Sequence, residues 1–274
     1  MAETFFLKDG TCCQAERSEV QGALPVVFIH GVGMSHRFWA PQMKAFAGQR
    51  SCVAYDMLGH GESPLPPEKA KLEDYATQLD RVLDANGFEK AIIVGHSMGA
   101  LVTLQYALTK PERAAGIVPM NAVFQRSAAQ KAAVLKRLAE LNSGEARLDV
   151  SVTLKRWFGD VPAPEATEAF TALKQALEQV NPVGYSRSYA LFATSDEVHA
   201  AGLKHLAMPA CFLTGEFDPN STPAMSEAMA RLAPQGYAVS LPGERHMMSF
   251  ISPAATDAVL SQFFAQVDAA SMTD

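Results

Sequence analysis

The stretch Ala91–Gly99, AIIVGHSMG, constrains this chain more than any other. A run of apolar, mostly β-branched residues stops at Gly95-His96-Ser97-Met98-Gly99, and a helix-forming segment, ALVTLQYALTK, follows without a linker. β-Branched residues suit the pleated, buried surface of a strand, whereas Ala, Leu and Gln suit a helix. The stretch therefore predicts a strand, a tight turn and a helix, with Gly95 and Gly99 letting strand and helix approach closely. In that context G-x-S-x-G holds its central residue in a cramped backbone with the side chain exposed above a sheet. Ser97 is the candidate nucleophile. A small-residue turn without chemistry has the same pattern, so residues elsewhere must decide.

Other apolar runs repeat the theme. Leu24–His30 (LPVVFIH), Ser51–Tyr55 (SCVAY), Gly116–Met120 (GIVPM), Ala210–Thr214 (ACFLT) and Tyr237–Leu241 (YAVSL) read as buried strands, and helical periodicity separates them. A hairpin around Asp9-Gly10 leads the chain. Pro119 predicts that its strand ends early or borders a bulge. Strands alternating with helices imply an α/β fold with a mostly parallel sheet and helices on both faces. From Phe124 to Ala200 the texture changes to Ala, Lys, Glu, Gln and Leu at helical spacing with no buried strand. Residues 124–200 are thus predicted to form a helical cap inserted between two core parts, 1–123 and 201–274. The closing DAASMTD is expected to fray.

Composition narrows the partners. The 274 residues are 48% hydrophobic and 19% charged, enough apolar material for a large core. Lys plus Arg number 23 against 29 Asp plus Glu, a net charge of −6 without a basic block, which argues against nucleic acid. No apolar run approaches the roughly 20 residues that span a bilayer, and the N-terminus lacks the pattern of a secretory signal, so a cytoplasmic location and a small-molecule partner are expected. The four cysteines show neither zinc-finger spacing nor disulfide density and are expected to pack in the core.

A serine hydroxyl is a weak nucleophile at neutral pH; it needs a base, and the base needs a group that holds its tautomer. Among seven histidines, His246 follows the strand YAVSL directly in Gly243-Glu244-Arg245-His246. Asp218 follows the strand ACFLT in Gly215-Glu216-Phe217-Asp218-Pro219, with Glu216 the competing carboxylate. Both loops are predicted to open on the sheet edge that carries Ser97. An acyl-transfer oxyanion needs fixed backbone N–H donors. Met98, at a helix N-terminus, and Val32, in the loop His30-Gly31-Val32-Gly33, are the candidates. That loop lacks the pattern and lysine of a phosphate cradle. His36 is expected on a helix surface.

Taken together, H-G-V-G, D-M-L-G-H-G-E-S, G-H-S-M-G, G-E-F-D-P and G-E-R-H resemble the signposts of the α/β-hydrolase superfamily over about 24–122 and 203–264. The resemblance implies an α/β-hydrolase fold and a serine hydrolase of a small ester or lactone, somewhat similar to enol-lactonases and carboxylesterases. It implies no metal or organic cofactor. Carbon–carbon bond hydrolysis of ring-cleavage products is the alternative, and a ligand-binding receptor on the same fold is a third. Serine rather than aspartate at position 97 disfavours dehalogenase and epoxide hydrolase chemistry. Trp157, Phe158, Phe192 and Arg187 are the candidate pocket residues in the cap, Arg187 as a partner for a substrate carboxylate.

Overall fold

The computed structural model describes residues 3–143, 150–159 and 166–272. Eight strands form one sheet: β1 (Glu3–Phe6), β2 (Cys12–Glu16), β3 (Val26–Ile29), β4 (Cys52–Tyr55), β5 (Ala91–His96), β6 (Ala114–Met120), β7 (Ala210–Gly215) and β8 (Gly236–Leu241). Their order is β1-β2-β4-β3-β5-β6-β7-β8. The leading hairpin pairs antiparallel and joins β4 antiparallel, while β4, β3, β5, β6, β7 and β8 run parallel. All parallel strands therefore deliver their C-terminal loops to one edge, where ligands of such sheets bind.

Period-two alternation sorts the strand residues between two cores. Val27, Ile29, Ile93, Ile117 and Phe212 pack on one face with α2 (Leu72–Asn86), α3 (Met98–Thr109) and α8 (Pro223–Leu232). Val26, Phe28, Ile92, Val94, Val118 and Leu213 pack on the other with α1 (Ala40–Phe46) and α10 (Pro253–Ser271). Both faces are covered, which explains why these strands are apolar throughout. All four cysteines are buried and free. Between β6 and β7 stand α4 (Ala128–Asn142), α5 (Val150–Phe158), α6 (Thr167–Glu178) and α7 (Pro182–Thr194). The short α9 (Met248–Ile251) follows the loop after β8. None of the described helices is long and apolar enough to cross a membrane.

The structure corrects several local expectations. β6 continues through Pro119 to Met120, because the β6–β7 ladder pairs Ile117 with Ala210 and Met120 with Leu213 and skips the residue that lacks an N–H. The expected fraying fails over Asp268–Ser271, which continue α10: the Asp268 carboxylate accepts from Arg50 Nη2 at 2.8 Å and from the Leu24 N–H at 3.0 Å, while residues 273–274 of that tail lie outside the described residues. His36 is not a surface residue. It is buried, and both its N–H (2.7 Å) and its Nδ1 (2.8 Å) meet Asp56 Oδ1.

The turn after β5 is the tightest point of the fold. A Cβ at Gly95 would collide with the Gly99 carbonyl and with Thr103 Oγ1, and one at Gly99 with the carbonyl oxygen of Ile29. Backbone atoms cannot swing away as a flexible side chain does. Gly95→Ala should therefore lower stability by about 2–4 kcal/mol, read as a lower urea midpoint at an unchanged m-value.

Candidate active site

Ser97 joins the end of β5 to the start of α3 with φ 56° and ψ −112°. Left-handed backbone at a non-glycine residue costs free energy and persists where surrounding contacts enforce it. Here the Ser97 N–H donates to the Met120 carbonyl at 2.8 Å, and Gly31 presses so closely that a Cβ on it would lie 3.0 Å from Ser97 Cβ. Met98 begins α3, whose first N–H groups have no intrahelical acceptor and concentrate positive potential beside Ser97.

The loop after β3 is held from behind. His30 Nε2 accepts from the Met57 N–H at 2.9 Å, which leaves Nδ1 to donate to the Gly31 carbonyl at 2.8 Å. Burial pulls the pKa of this imidazole down to about 4, so the neutral tautomer is fixed. Asp56 braces the same region, accepting from His36 at Oδ1 and from the Glu62 N–H at Oδ2. Among the described residues Cys12, His36 and Asp56 bring three ligand-type atoms within 4.8 Å of one another. The hydrogen bonds already engage both Asp56 oxygens in bracing the loops after β3 and β4.

Asp218 and His246 converge from the loops after β7 and β8. His246 Nδ1 meets Asp218 Oδ2 at 2.7 Å, Asn121 Nδ2 donates to the same oxygen at 2.8 Å, and the Asn220 N–H donates to Oδ1 at 2.8 Å. Burial alone would raise the Asp218 pKa, but the His246 charge and these hydrogen bonds outweigh it and hold the carboxyl below its usual range. The carboxylate can only accept, so Nδ1 carries the proton and Nε2 offers a lone pair. Glu216 is exposed and accepts from the Gly243 N–H at 2.8 Å, away from His246. Asn121, fully buried with φ 50°, escaped the sequence reading because nothing marks a strand-end asparagine as a carboxylate's partner.

Ser97, His246, Val32 and Asn220 share a cavity of about 40 Å³, and no hydrogen bond among the described residues joins Ser97 to His246 across it. Its roof comes from the helices between β6 and β7. Trp157 lies over the His246 ring with centroids 6.2 Å apart and an interplanar angle of 24°. Tyr185, Tyr189 and Phe192 descend from one face of α7, and Arg137 of α4 and Arg156 of α5 enter beside them. Arg137 Nη2 is buried without a hydrogen-bond partner among the described residues, and the two guanidinium groups stand by the tyrosine hydroxyls, Arg137 by Tyr185 and Arg156 by Tyr189, each opposing the rise that burial gives the phenol pKa.

Two expected pocket residues lie elsewhere. Arg187 Nη1 donates to the Pro66 carbonyl at 2.7 Å, because residues 185, 189 and 192 occupy the cavity-facing stripe of α7 and residue 187 falls on another face. Phe158 packs edge-on against Phe170, centroids 5.1 Å apart, in the core beneath the roof. A larger cavity of about 430 Å³ lies between α6 and the loops after β3 and β4, and neither Ser97 nor His246 lines it.

The sequence model for the alpha/beta hydrolase fold matches residues 25–253. The chain belongs to the α/β-hydrolase family. This hydrolase is 36% identical to an (E)-2-((N-methylformamido)methylene)succinate hydrolase of Acinetobacter baylyi, over 84% of its own length and 86% of the relative's. It is 26% identical to 3-oxoadipate enol-lactonase 1 of the same species, over 81% and 82% of the two chains. Among solved structures, the enol-lactonase of Burkholderia xenovorans superposes with a TM-score of 0.86 at 18% identity, covering 96% of the hydrolase and all of that chain, which is a likeness of fold.

Proposed function

We propose that this hydrolase cleaves an acyl bond in a small substrate bearing two carboxylates, through an acyl-enzyme on Ser97. The observation that carries the reading is the pair Arg137 and Arg156 in the cavity that Ser97 and His246 line. Both arginines are half-buried at the cavity, and the guanidinium fork matches a carboxylate bidentately. Arg137 Nη2, buried without a hydrogen-bond partner among the described residues, is a further donor for such a group. A relative named for a substituted succinate supports the same substrate class.

In this reading Ser97 Oγ attacks the acyl carbon as His246 Nε2 takes its proton, and Asp218 stabilises the imidazolium. The backbone N–H groups of Val32 and Met98 hold the oxyanion. His246 returns the proton to the departing alkoxide, enolate or amine. Water, deprotonated by His246, then releases the acid and restores Ser97. The helices of residues 124–200 act as the substrate-binding cap. The bond cleaved is that of an ester or lactone, or of an N-acyl group like the one in the relative's name. The same arginines also suit carbon–carbon hydrolysis of a ring-cleavage acid, which product analysis separates from acyl transfer to water.

A series of acyl substrates matched in size but neutral, singly or doubly anionic tests the carboxylate site. Wild-type kcat/KM should rise with each carboxylate. Arg137→Leu and Arg156→Leu should each lose about 10- to 100-fold on the dianion, the worth of one charged hydrogen-bonded contact, and little on the neutral member. An equal loss on all three substrates would reject anion recognition.

A further inference from the structure

His96, the residue before Ser97, does something its place in the turn does not require. Its Nε2 lies 2.8 Å from the backbone carbonyl of His246, 150 residues further along the chain. A carbonyl only accepts, so Nε2 carries the proton and Nδ1 is a bare lone pair. That Nδ1 is buried and has no partner, an unsatisfied acceptor that structures rarely retain without cause. Burial, and then the charge of His246, hold the ring neutral down to a pKa of about 3, so Nε2–H persists across the working pH range.

The rings repeat the connection. The His96 ring has centroids 4.8 Å from both Phe38 and His246, and Phe250 stacks on Phe38 at 5.8 Å. Asp218 fixes the His246 ring at Nδ1, and the chain on either side is held where the Phe217 N–H donates to the Glu244 carbonyl at 2.8 Å and the Phe250 N–H to the Met247 carbonyl at 3.0 Å. His96 adds an attachment at the backbone of His246 itself, and it is covalently joined to Ser97.

We propose that His96 is a positioning residue: a neutral imidazole, adjoining the nucleophile in the chain, whose Nε2–H holds the His246 backbone and so sets the separation of Ser97 and His246. The inference rests on the reading of Ser97 as nucleophile and His246 as base.

Three substitutions test it. The glutamine amide reaches about as far as imidazole Nε2, the asparagine amide stops about where Nδ1 lies, and leucine fills space without a donor. His96→Gln should keep kcat, and the rate of labelling by a serine-directed phosphonate, within a few-fold of wild type. His96→Asn and His96→Leu should lower both by about 10²-fold with KM little changed, as expected for reacting groups misplaced by about 1 Å. If His96 served packing alone, stability would fall while the kcat of the folded enzyme stayed high, and glutamine would rescue no better than asparagine; either result overturns the proposal. Should His96→Leu not fold, the comparison of glutamine with asparagine decides. Ser97→Ala separates the two levels: labelling that survives it rejects the nucleophile itself, whereas labelling abolished there and unchanged in His96→Asn rejects only the role of His96.

Discussion

Ser97→Ala is expected to lower kcat by about 10⁴- to 10⁶-fold, because acyl transfer through Ser97 would then lack its nucleophile while the rest of the site persists. The backbone at this residue has φ 56°, a conformation as costly for alanine as for serine, and the residue, 7% exposed, lines the cavity. Stability should therefore change by less than about 1 kcal/mol. The variant should bind a substrate analogue with near wild-type affinity and take up no phosphonate label. A folded Ser97→Ala protein that still turns over or labels would show that another residue attacks. Normal binding of wild type with no turnover of any acyl substrate would favour the receptor reading of the fold.

Asp218→Asn should cost about 10³- to 10⁴-fold in kcat, and the hydrogen-bond pattern shows why an isosteric amide is no substitute. Three donors surround the Asp218 side chain: His246 Nδ1–H and Asn121 Nδ2–H at Oδ2, and the Asn220 N–H at Oδ1. A carboxylate accepts from all three. An amide has one acceptor oxygen. With that oxygen toward His246, its NH₂ opposes the Asn220 N–H; turned over, the NH₂ meets Asn121 and drives His246 to the tautomer that carries hydrogen on Nε2, where it cannot act as a base. The variant should also lose about 1–3 kcal/mol of stability at neutral pH from an unsatisfied buried donor.

The pH dependence follows from sign. The Asp218 carboxyl is held below its usual range in the folded state, so its contribution to stability is present above the unfolded value of about 4 and is lost as pH falls through the lower folded value. The stability gap between wild type and Asp218→Asn should narrow below about pH 4 in denaturant titrations. Glu216→Gln, in which the altered side chain faces solvent and the Gly243 N–H, is the comparison: should it match the Asp218→Asn loss, the acid is Glu216.

Ser97, Asp218 and His246 were legible as candidates because each sits beside a pattern that local physics imposes. Gly95 and Gly99 mark the turn at Ser97, and the apolar runs ACFLT and YAVSL place Asp218 and His246 just past strand ends. In a parallel sheet such ends meet at one edge whatever the intervening chain does. The arginines were not legible that way. Arg137 falls in line with Val134, Leu138 and Leu141, the partly buried stripe of α4, and a charge on an inward stripe was the available signal. Arg187 looked the better anion partner from its surroundings in sequence, yet α7 turns it onto the Pro66 carbonyl.

The sequence by itself determined the alternation of strands and helices, the strained turn at Ser97 and the strand-end positions of Asp218 and His246, because these follow from side-chain period and local backbone sterics. Tertiary structure alone decided which charges face the cavity, which histidines are locked neutral in the core, and that Asn121 and His96 hold Asp218 and the His246 backbone. Those outcomes depend on how helices from 124–200 rotate against the sheet and on contacts between residues about a hundred or more positions apart, and a rotation of one residue, about 100° on a helix, moves a side chain from pocket to solvent.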